Sequence, residues 1–239
     1  MVILVTGVSK GIGFELMKQM SNSPSLLVIG VSRNTVALSD YIKKNNISNI
    51  LTIKADITKR RDQKKIAETL KKLKINLNVI INNVGEMVNK PFQKISLKEL
   101  QSVYTTNVFA PFQLIQTLLP FFNSKNKNHI VNISSMGGFQ GSAKFPGLSA
   151  YSSSKAALCG LTECLAEEFK TGLPNARAKN IAINCLAIGA VQTEMLGKAF
   201  PGYKAPLTAK EMAEYICNFA LTGQKYFNGK IIPVSLTTP

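Results

Sequence analysis

The sequence predicts an α/β fold: a parallel β-sheet covered by helices on both faces. Two observations carry this. Apolar, β-branched runs alternate with helical patterns almost to the end of the chain, and no linker, repeat or low-complexity stretch interrupts them. Strands are expected at VILVT (2–6), LLVIGV (26–31), ILTIKA (50–55), LNVIIN (77–82), HIVNIS (129–134), IAINCLA (181–187) and KIIPV (230–234). Helices are expected at about 11–21, 35–45, 60–73, 97–122, 151–170 and 209–221. The first follows a glycine-rich turn. The third is amphipathic, with Ile66, Ala67, Leu70 and Leu73 inward and its lysines and arginines outward. The fourth is long enough to need a kink, expected near Pro111.

In such sheets ligands sit beyond the carboxyl ends of the strands, so functional residues should come just after strands. After the first strand stands TGVSKGIG (6–13). Gly7, Gly11 and Gly13 allow a tight turn and close approach of backbone to a phosphate, and the next helix offers its positive N-terminus. The spacing is GxxxGxG, and such glycines can also be purely structural. At the end of the second strand the chain reads GVSRN, with Arg33 and no carboxylate in reach. An acidic residue there suits the ribose of NAD, whereas a basic one suits the 2′-phosphate of NADP. Lys10 lies where it can approach the same phosphate, although either cation can be an ordinary surface residue. After the third strand, Asp56 and Ile57 stand where an adenine can lie; after the fourth, NNVG (82–85) brings Asn83 and Gly85 beside a cofactor.

SAYSSSKAAL (149–158) sets Tyr151 and Lys155 four residues apart, on one helix face. A fixed cation near a phenol favours phenolate and lowers its pKa, so the pair can be a tuned acid–base group. It can equally be a serine-capped helix start with a core-facing tyrosine and a solvated lysine.

Composition bounds the rest. The 239 residues, 45% of them hydrophobic, can bury a large core. No run is long enough to span a bilayer, and MVILVTG lacks the features of a secretory leader. Cys159, Cys164, Cys185 and Cys217 show no CxxC spacing and His129 is the only histidine, which argues against a metal site or a Ser-His-Asp triad. Reduced, buried thiols in a cytoplasmic protein are expected. The net charge is +16, and its densest basic stretch is KRRDQKKIAETLKKLK (59–74). No recognition motif accompanies it, so neither nucleic acid nor membrane is an expected partner. A surface attracting phosphorylated cofactors or an acidic partner accounts for it, as does simple Lys/Asn/Ile bias.

The ordered set TGVSKGIG, ADIT, NNVG, TTNVFA, NISS, YSSSK and NCLAIGAVQTEM resembles the short-chain dehydrogenase/reductase family over nearly the whole chain. The resemblance implies a single Rossmann-type, doubly wound domain over 1–239 with a seven-stranded parallel sheet, a substrate lid at about 194–208, and hydride transfer between a nicotinamide and a carbonyl or alcohol carbon. It implies that Tyr151 protonates the nascent alkoxide and that Lys155 bonds the nicotinamide ribose and depresses the Tyr151 pKa. Ser135 would bond the substrate oxygen, with Ser134 and Ser149 as alternatives, and Asn107 would hold a water linking Lys155 to solvent. Ser152, Ser153 and Ser154 become spacers. Cofactor contacts carry over to Gly7, Ser9, Lys10, Gly11, Ile12, Gly13, Arg33, Asp56, Ile57, Asn83, Gly85, Tyr151, Lys155, Gly189, Val191 and Thr193, with NADP(H) preferred over NAD(H).

Three departures stand out. MGGFQGSAKFPGLSA, between Ser135 and Tyr151, is longer than the family usually has; Ile188 replaces a usual proline, which predicts a less rigid loop; Val84 replaces a usual alanine. Met136, Phe139, Phe145, Met195, Leu196, Phe200, Pro201 and Tyr203 would line an apolar pocket, with Gly197 and Gly202 as hinges. The implied substrate is an apolar ketone or aldehyde, reduced by a homotetramer or homodimer; a 3-oxoacyl-thioester reductase and a non-catalytic NADP(H)-binding regulator are the alternatives.

Overall fold

The computed structural model describes residues 1–123, 125, 127–172 and 180–236. Its strands are β1 (Val2–Thr6), β2 (Leu27–Ser32), β3 (Ile50–Lys54), β4 (Val79–Asn82), β5 (Asn128–Ser135), β6 (Ile181–Ile188), β7 (Val191–Gln192), β8 (Leu207–Thr208) and β9 (Ile231–Val234). The helices are α1 (Gly11–Ser21), α2 (Val36–Lys44), α3 (Arg60–Lys72), α4 (Leu97–Tyr104), α5 (Ala110–Leu118), α6 (Ser149–Thr171), α7 (Glu194–Ala199) and α8 (Ala209–Thr222). Seven strands form one sheet in the order β3-β2-β1-β4-β5-β6-β9, and every pairing in it is parallel. This is the doubly wound Rossmann-type sheet that the sequence predicts.

The unbroken apolar character of the strands has a direct cause: both faces are covered. Leu4, Ile29, Ile80, Ile130 and Ile183 face Ile66 and Leu70 of α3, Leu114 and Leu118 of α5 and Phe169 of α6. Their neighbours Ile3, Val5, Val28, Val79 and Val131 point the other way, onto Leu16 and Met20 of α1 and Ile216 and Phe219 of α8. Successive strand residues thus serve two cores. After β3 the chain returns past β1 to lay down β4, and β1 pairs with both β2 and β4. Loops leaving β1 and β4 therefore diverge, which opens a crevice at their carboxyl ends.

Two local outcomes differ from the sequence expectation. The 97–122 helix is broken before Pro111, at a wide π-helical turn over Thr105–Phe109. Pro111 sits in the first turn of α5; it donates no hydrogen bond and its ring would crowd the carbonyl four residues back, which the wider winding relieves. The second difference lies in 187–208. There β7 pairs with β8 and α7 stands between them, capped by the Thr193 hydroxyl, which accepts from the Leu196 amide. Elements of two to six residues leave too little periodicity to read. Among the described residues, no helix is long and apolar enough to cross a membrane.

Candidate active site

A cavity of about 1180 Å³ opens at the carboxyl ends of the strands. Its floor is the β1–α1 turn. Gly7 and Gly11 have φ of +77° and +59°, a region side chains rarely adopt. Gly13 is needed for another reason: a Cβ there would meet the Gly7 carbonyl oxygen at 2.2 Å. Asn83 braces the turn from β4, its amide donating to the Thr6 and Gly7 carbonyls at 3.0 and 3.3 Å. Gly7, Ser9, Lys10, Gly11, Ile12, Asn83 and Gly85 line the cavity, whereas Gly13 lies beneath it.

At one end stand Arg33, Asp56 and Ile57. Arg33 is exposed, and no ion pair engages it among the described residues. The Asp56 carboxylate closes a local turn by accepting from the Thr58 amide and hydroxyl. Lys10, expected near the same phosphate, has a partner: its ammonium pairs with Glu194 of α7 at 2.7 Å. With Lys198 on its other side, the Glu194 carboxyl is held down to about 2.

At the other end, Ser135, Tyr151 and Lys155 line the cavity together. The Ser135 hydroxyl is close enough to the Tyr151 phenol to act on its pKa, and the Gly137 amide donates to the Ser135 hydroxyl at 3.2 Å. Ser134 points elsewhere, donating to the Lys155 carbonyl at 2.9 Å, and Ser149 is exposed outside the cavity wall. The long 136–150 segment folds on itself, Ser142 and Lys144 both donating to the Phe139 carbonyl, and Ser135 and Tyr151 still line one cavity.

Lys155 is 3% exposed, so it is no solvated helix residue. It donates to the Ile133 carbonyl at 2.8 Å, and its Nζ lies 5.9 Å from the Tyr151 ring centroid. Burial lowers its pKa to about 8. The phenol goes opposite to expectation. Burial raises its pKa, and the nearby Ser135 hydroxyl offsets only part of that. Desolvation penalises phenolate and ammonium alike.

Asn107 is 1% exposed and lies behind the cavity wall. The wide turn aims its amide at Glu86 and Ser154: Nδ2 donates to the Glu86 carbonyl and the Ser154 hydroxyl, each at 2.9 Å, and Oδ1 accepts from the Glu86 amide at 2.8 Å. A Cβ on Gly85 would stand 3.5 Å from Lys155 Nζ and 3.7 Å from Asn107 Oδ1, so that glycine keeps a gap open between them. Ser154 is more than a spacer, because it also donates to the Tyr151 carbonyl at 2.7 Å.

Gly189, Val191 and Thr193 line the far wall. Ile188 does not loosen it: β6 runs through Ile188, which pairs with Ser135 and Val234, and the Gly189 amide donates to the Val234 carbonyl at 2.8 Å. Val84 reaches the cavity and packs beside Gly7. Met136, Phe145, Met195, Leu196, Phe200 and Tyr203 form an apolar wall; Phe139 and Pro201 are not part of it. Sequence reasoning missed Glu86, whose carboxylate lines the cavity and accepts from Ser102 and Thr106 at 2.7 and 2.8 Å. A lone acidic residue straight after NNVG was the available signal.

The donor set suits a dinucleotide. The cavity exceeds the roughly 300–1,000 Å³ of ordinary small-molecule sites, and a turn with glycines at Gly7 and Gly11 opens a helix N-terminus at its floor. Comparison with known proteins agrees. The chain is 26% identical over 194 residues to an uncharacterized oxidoreductase of Saccharomyces cerevisiae, covering 80% of this chain and 60% of that one. It is 29% identical over 185 residues to the ketoacyl reductase HetN of Nostoc, covering 77% of this chain and 61% of that one. Among solved structures it superposes on a Pseudomonas aeruginosa RhlG/NADP complex with TM-score 0.82 and 25% identity, covering 98% of this chain and 94% of that one. A 4-hydroxyisoleucine dehydrogenase complexed with NADH gives TM-score 0.83 at 24% identity, covering 98% and 96%. The family profile described as short chain dehydrogenase matches residues 1–204, and the chain belongs to that family of oxidoreductases.

Proposed function

We propose that the protein reduces an apolar ketone or aldehyde to an alcohol with NADPH. The observation that carries this reading is the convergence of Ser135, Tyr151 and the buried ammonium of Lys155 at one cavity, beside an apolar wall that includes Met136, Phe145 and Met195. A bound nicotinamide supplies the hydride. The Ser135 hydroxyl orients the substrate oxygen, and the Tyr151 O–H delivers the proton as negative charge grows there. A phenol whose pKa is raised keeps its proton at neutral pH, which suits the reducing direction. Lys155, still mostly ammonium near pH 7, stabilises the phenolate left behind and offers donors to the nicotinamide ribose. Asn107 fixes the Glu86 backbone and Ser154 around that pair. Segment 194–208 acts as a lid, its apolar residues excluding water.

Preference for NADP(H) is supported by Arg33, the exposed cation at the end of β2 without a carboxylate partner. Exposed Phe109 and Phe112, 52% and 42% accessible on one helical run, support self-association into a dimer or tetramer. Four free thiols support a reducing compartment such as the cytoplasm. The test is NADPH oxidation with a panel of diketones, aldehydes and an acetoacetyl thioester. Turnover of ketones or aldehydes is the expected result; no turnover despite tight NADPH binding would favour a regulator. The similarity to HetN favours a second reading, a 3-oxoacyl-thioester reductase, which turnover of the thioester alone would promote.

A further inference from the structure

Behind the proposed catalytic lysine lies a pair of thiols that the proposed reaction does not use. Cys159 sits on α6, one turn after Lys155, and Cys185 sits on β6; their sulfurs are 3.8 Å apart. Cys185 is fully buried, while Cys159 keeps 8% of its surface exposed. The Cys159 thiol also donates to the Ser134 hydroxyl at 3.3 Å, and that hydroxyl donates to the Lys155 carbonyl at 2.9 Å. The sulfur pair is thus linked through two hydrogen bonds to the backbone of the residue that carries the ammonium.

The two thiols differ in character. Hydrogen bonding with Cys185 and Ser134, with the Lys155 ammonium nearby, holds the Cys159 thiol below its ordinary value against the opposing pull of burial and of Glu163. Burial drives Cys185 well above its ordinary value. The more acidic thiol, which keeps a little of its surface exposed, is the reactive partner of such a pair. A buried thiol in van der Waals contact with it is placed to resolve what forms there.

We propose that Cys159 and Cys185 form a reversible disulfide when a hydroperoxide reaches the protein, and that the bond displaces α6 at the active site. The Cys159 thiolate attacks one peroxide oxygen and the O–O bond breaks, leaving sulfenic acid on Cys159 and, after protonation, one water from hydrogen peroxide. Cys185 then gives up its proton and attacks the Cys159 sulfur. The S–O bond breaks and the departing hydroxide takes that proton as a second water. Two thiols are oxidised by two electrons while one peroxide is reduced to two waters. Bonding requires the sulfurs to close to about 2 Å, which draws α6 towards β6. Tyr151 and Lys155 ride on α6, and displacements of about 1 Å at a reacting centre cost up to roughly a hundredfold in rate.

This inference rests on the proposed reductase function only for its rate measurement. The experiment treats the purified protein with hydrogen peroxide, quenches free thiols, maps peptides by mass spectrometry, and measures carbonyl reduction and NADPH affinity before and after. The expected result is a Cys159–Cys185 cross-linked peptide lacking two hydrogens, at least a tenfold lower kcat, several-fold weaker NADPH binding, and recovery of both with dithiothreitol. Cys185→Ala should retain the basal rate and form no cross-link, and Cys164→Ser with Cys217→Ser should respond like the parent. Mapping of the unmodified chain decides the bond even where a variant folds poorly. A cross-link through Cys164 or Cys217, no cross-link, or a mapped Cys159–Cys185 bond with unchanged rate and unchanged NADPH affinity would overturn the proposal. A reduced protein that turns over no carbonyl would count against the proposed function alone, since peptide mapping and NADPH titration need no turnover.

Discussion

Lys155 anchors its ammonium on the Ile133 carbonyl, 2.8 Å away, and not on the phenol of Tyr151. The cation is therefore positioned by the β5 backbone before any ligand arrives. Its burial moves its pKa to about 8, so the ammonium form dominates below that pH and is lost above it. Carbonyl reduction is expected to decline as pH rises through about 8, and Lys155→Met should abolish that limb together with most of the rate. A kcat profile flat from pH 7 to 10 would contradict the assignment.

Tyr151→Phe removes the proton donor and keeps the ring. Cofactor affinity is expected to stay within about threefold while kcat drops by roughly 10²–10⁴, the usual contribution of a general acid. Stopped-flow fluorescence with NADPH separates the two effects. A variant that turned over at the parent rate would remove Tyr151 from the chemistry.

Lys10 and Arg33 should behave differently, because Lys10 is paired with Glu194 and Arg33 is not. Arg33→Asp is expected to change the NADPH/NADH ratio of kcat/KM by at least tenfold, about 1.4 kcal/mol. Lys10→Ala should change it by less. Equal responses in steady-state kinetics would mean that the Glu194 pair gives way to the 2′-phosphate.

Gly13→Ala puts a methyl group 2.2 Å from the Gly7 carbonyl oxygen, a backbone atom that cannot rotate aside. Loss of at least about 2 kcal/mol of stability is expected, together with weakened NADPH binding as the turn distorts. Thermal unfolding and a fluorescence titration check both.

His129 is fully buried, with Nδ1 facing the Ala220 carbonyl and Nε2 facing the Asn184 amide, each at 3.0 Å. Nδ1 therefore carries the proton, Nε2 accepts, and a second proton would meet a donor. Burial, with Lys127 adding repulsion, lowers the pKa to about 4. The unfolded chain, with a pKa near 6.5, binds the proton first. Stability is thus present above about 6.5 and lost as pH falls towards 4, by up to about 3 kcal/mol. Urea midpoints should show this slope, and His129→Gln should flatten it.

The fold was legible because its strands are buried on both faces, which leaves continuous apolar runs that a single chain shows without any partner. The glycine turn and the Tyr151–Lys155 spacing were legible for the same reason: local backbone demands leave local marks. What stayed hidden was tertiary. Glu194 is 184 residues from Lys10, and no local pattern reports that they meet. The burial of Tyr151 and Lys155, which favours the uncharged form of each, depends on segments far from α6 in the sequence. Ser154 read as filler because its partner, Asn107, arrives from a helix whose winding changes one turn before Pro111.

That change of winding has a consequence for how the chain can vary. Ahead of and within the wide turn, Ser102 and Thr106 attend to Glu86 at the cavity; beyond it, Leu114, Ile115 and Leu118 seat themselves in the sheet core. An evenly wound rod would have locked both sets into one rotational phase. Interposed slack lets the packing half be re-engineered while the half that presents Asn107 keeps its aim, and deleting a single residue there should swing the two out of step.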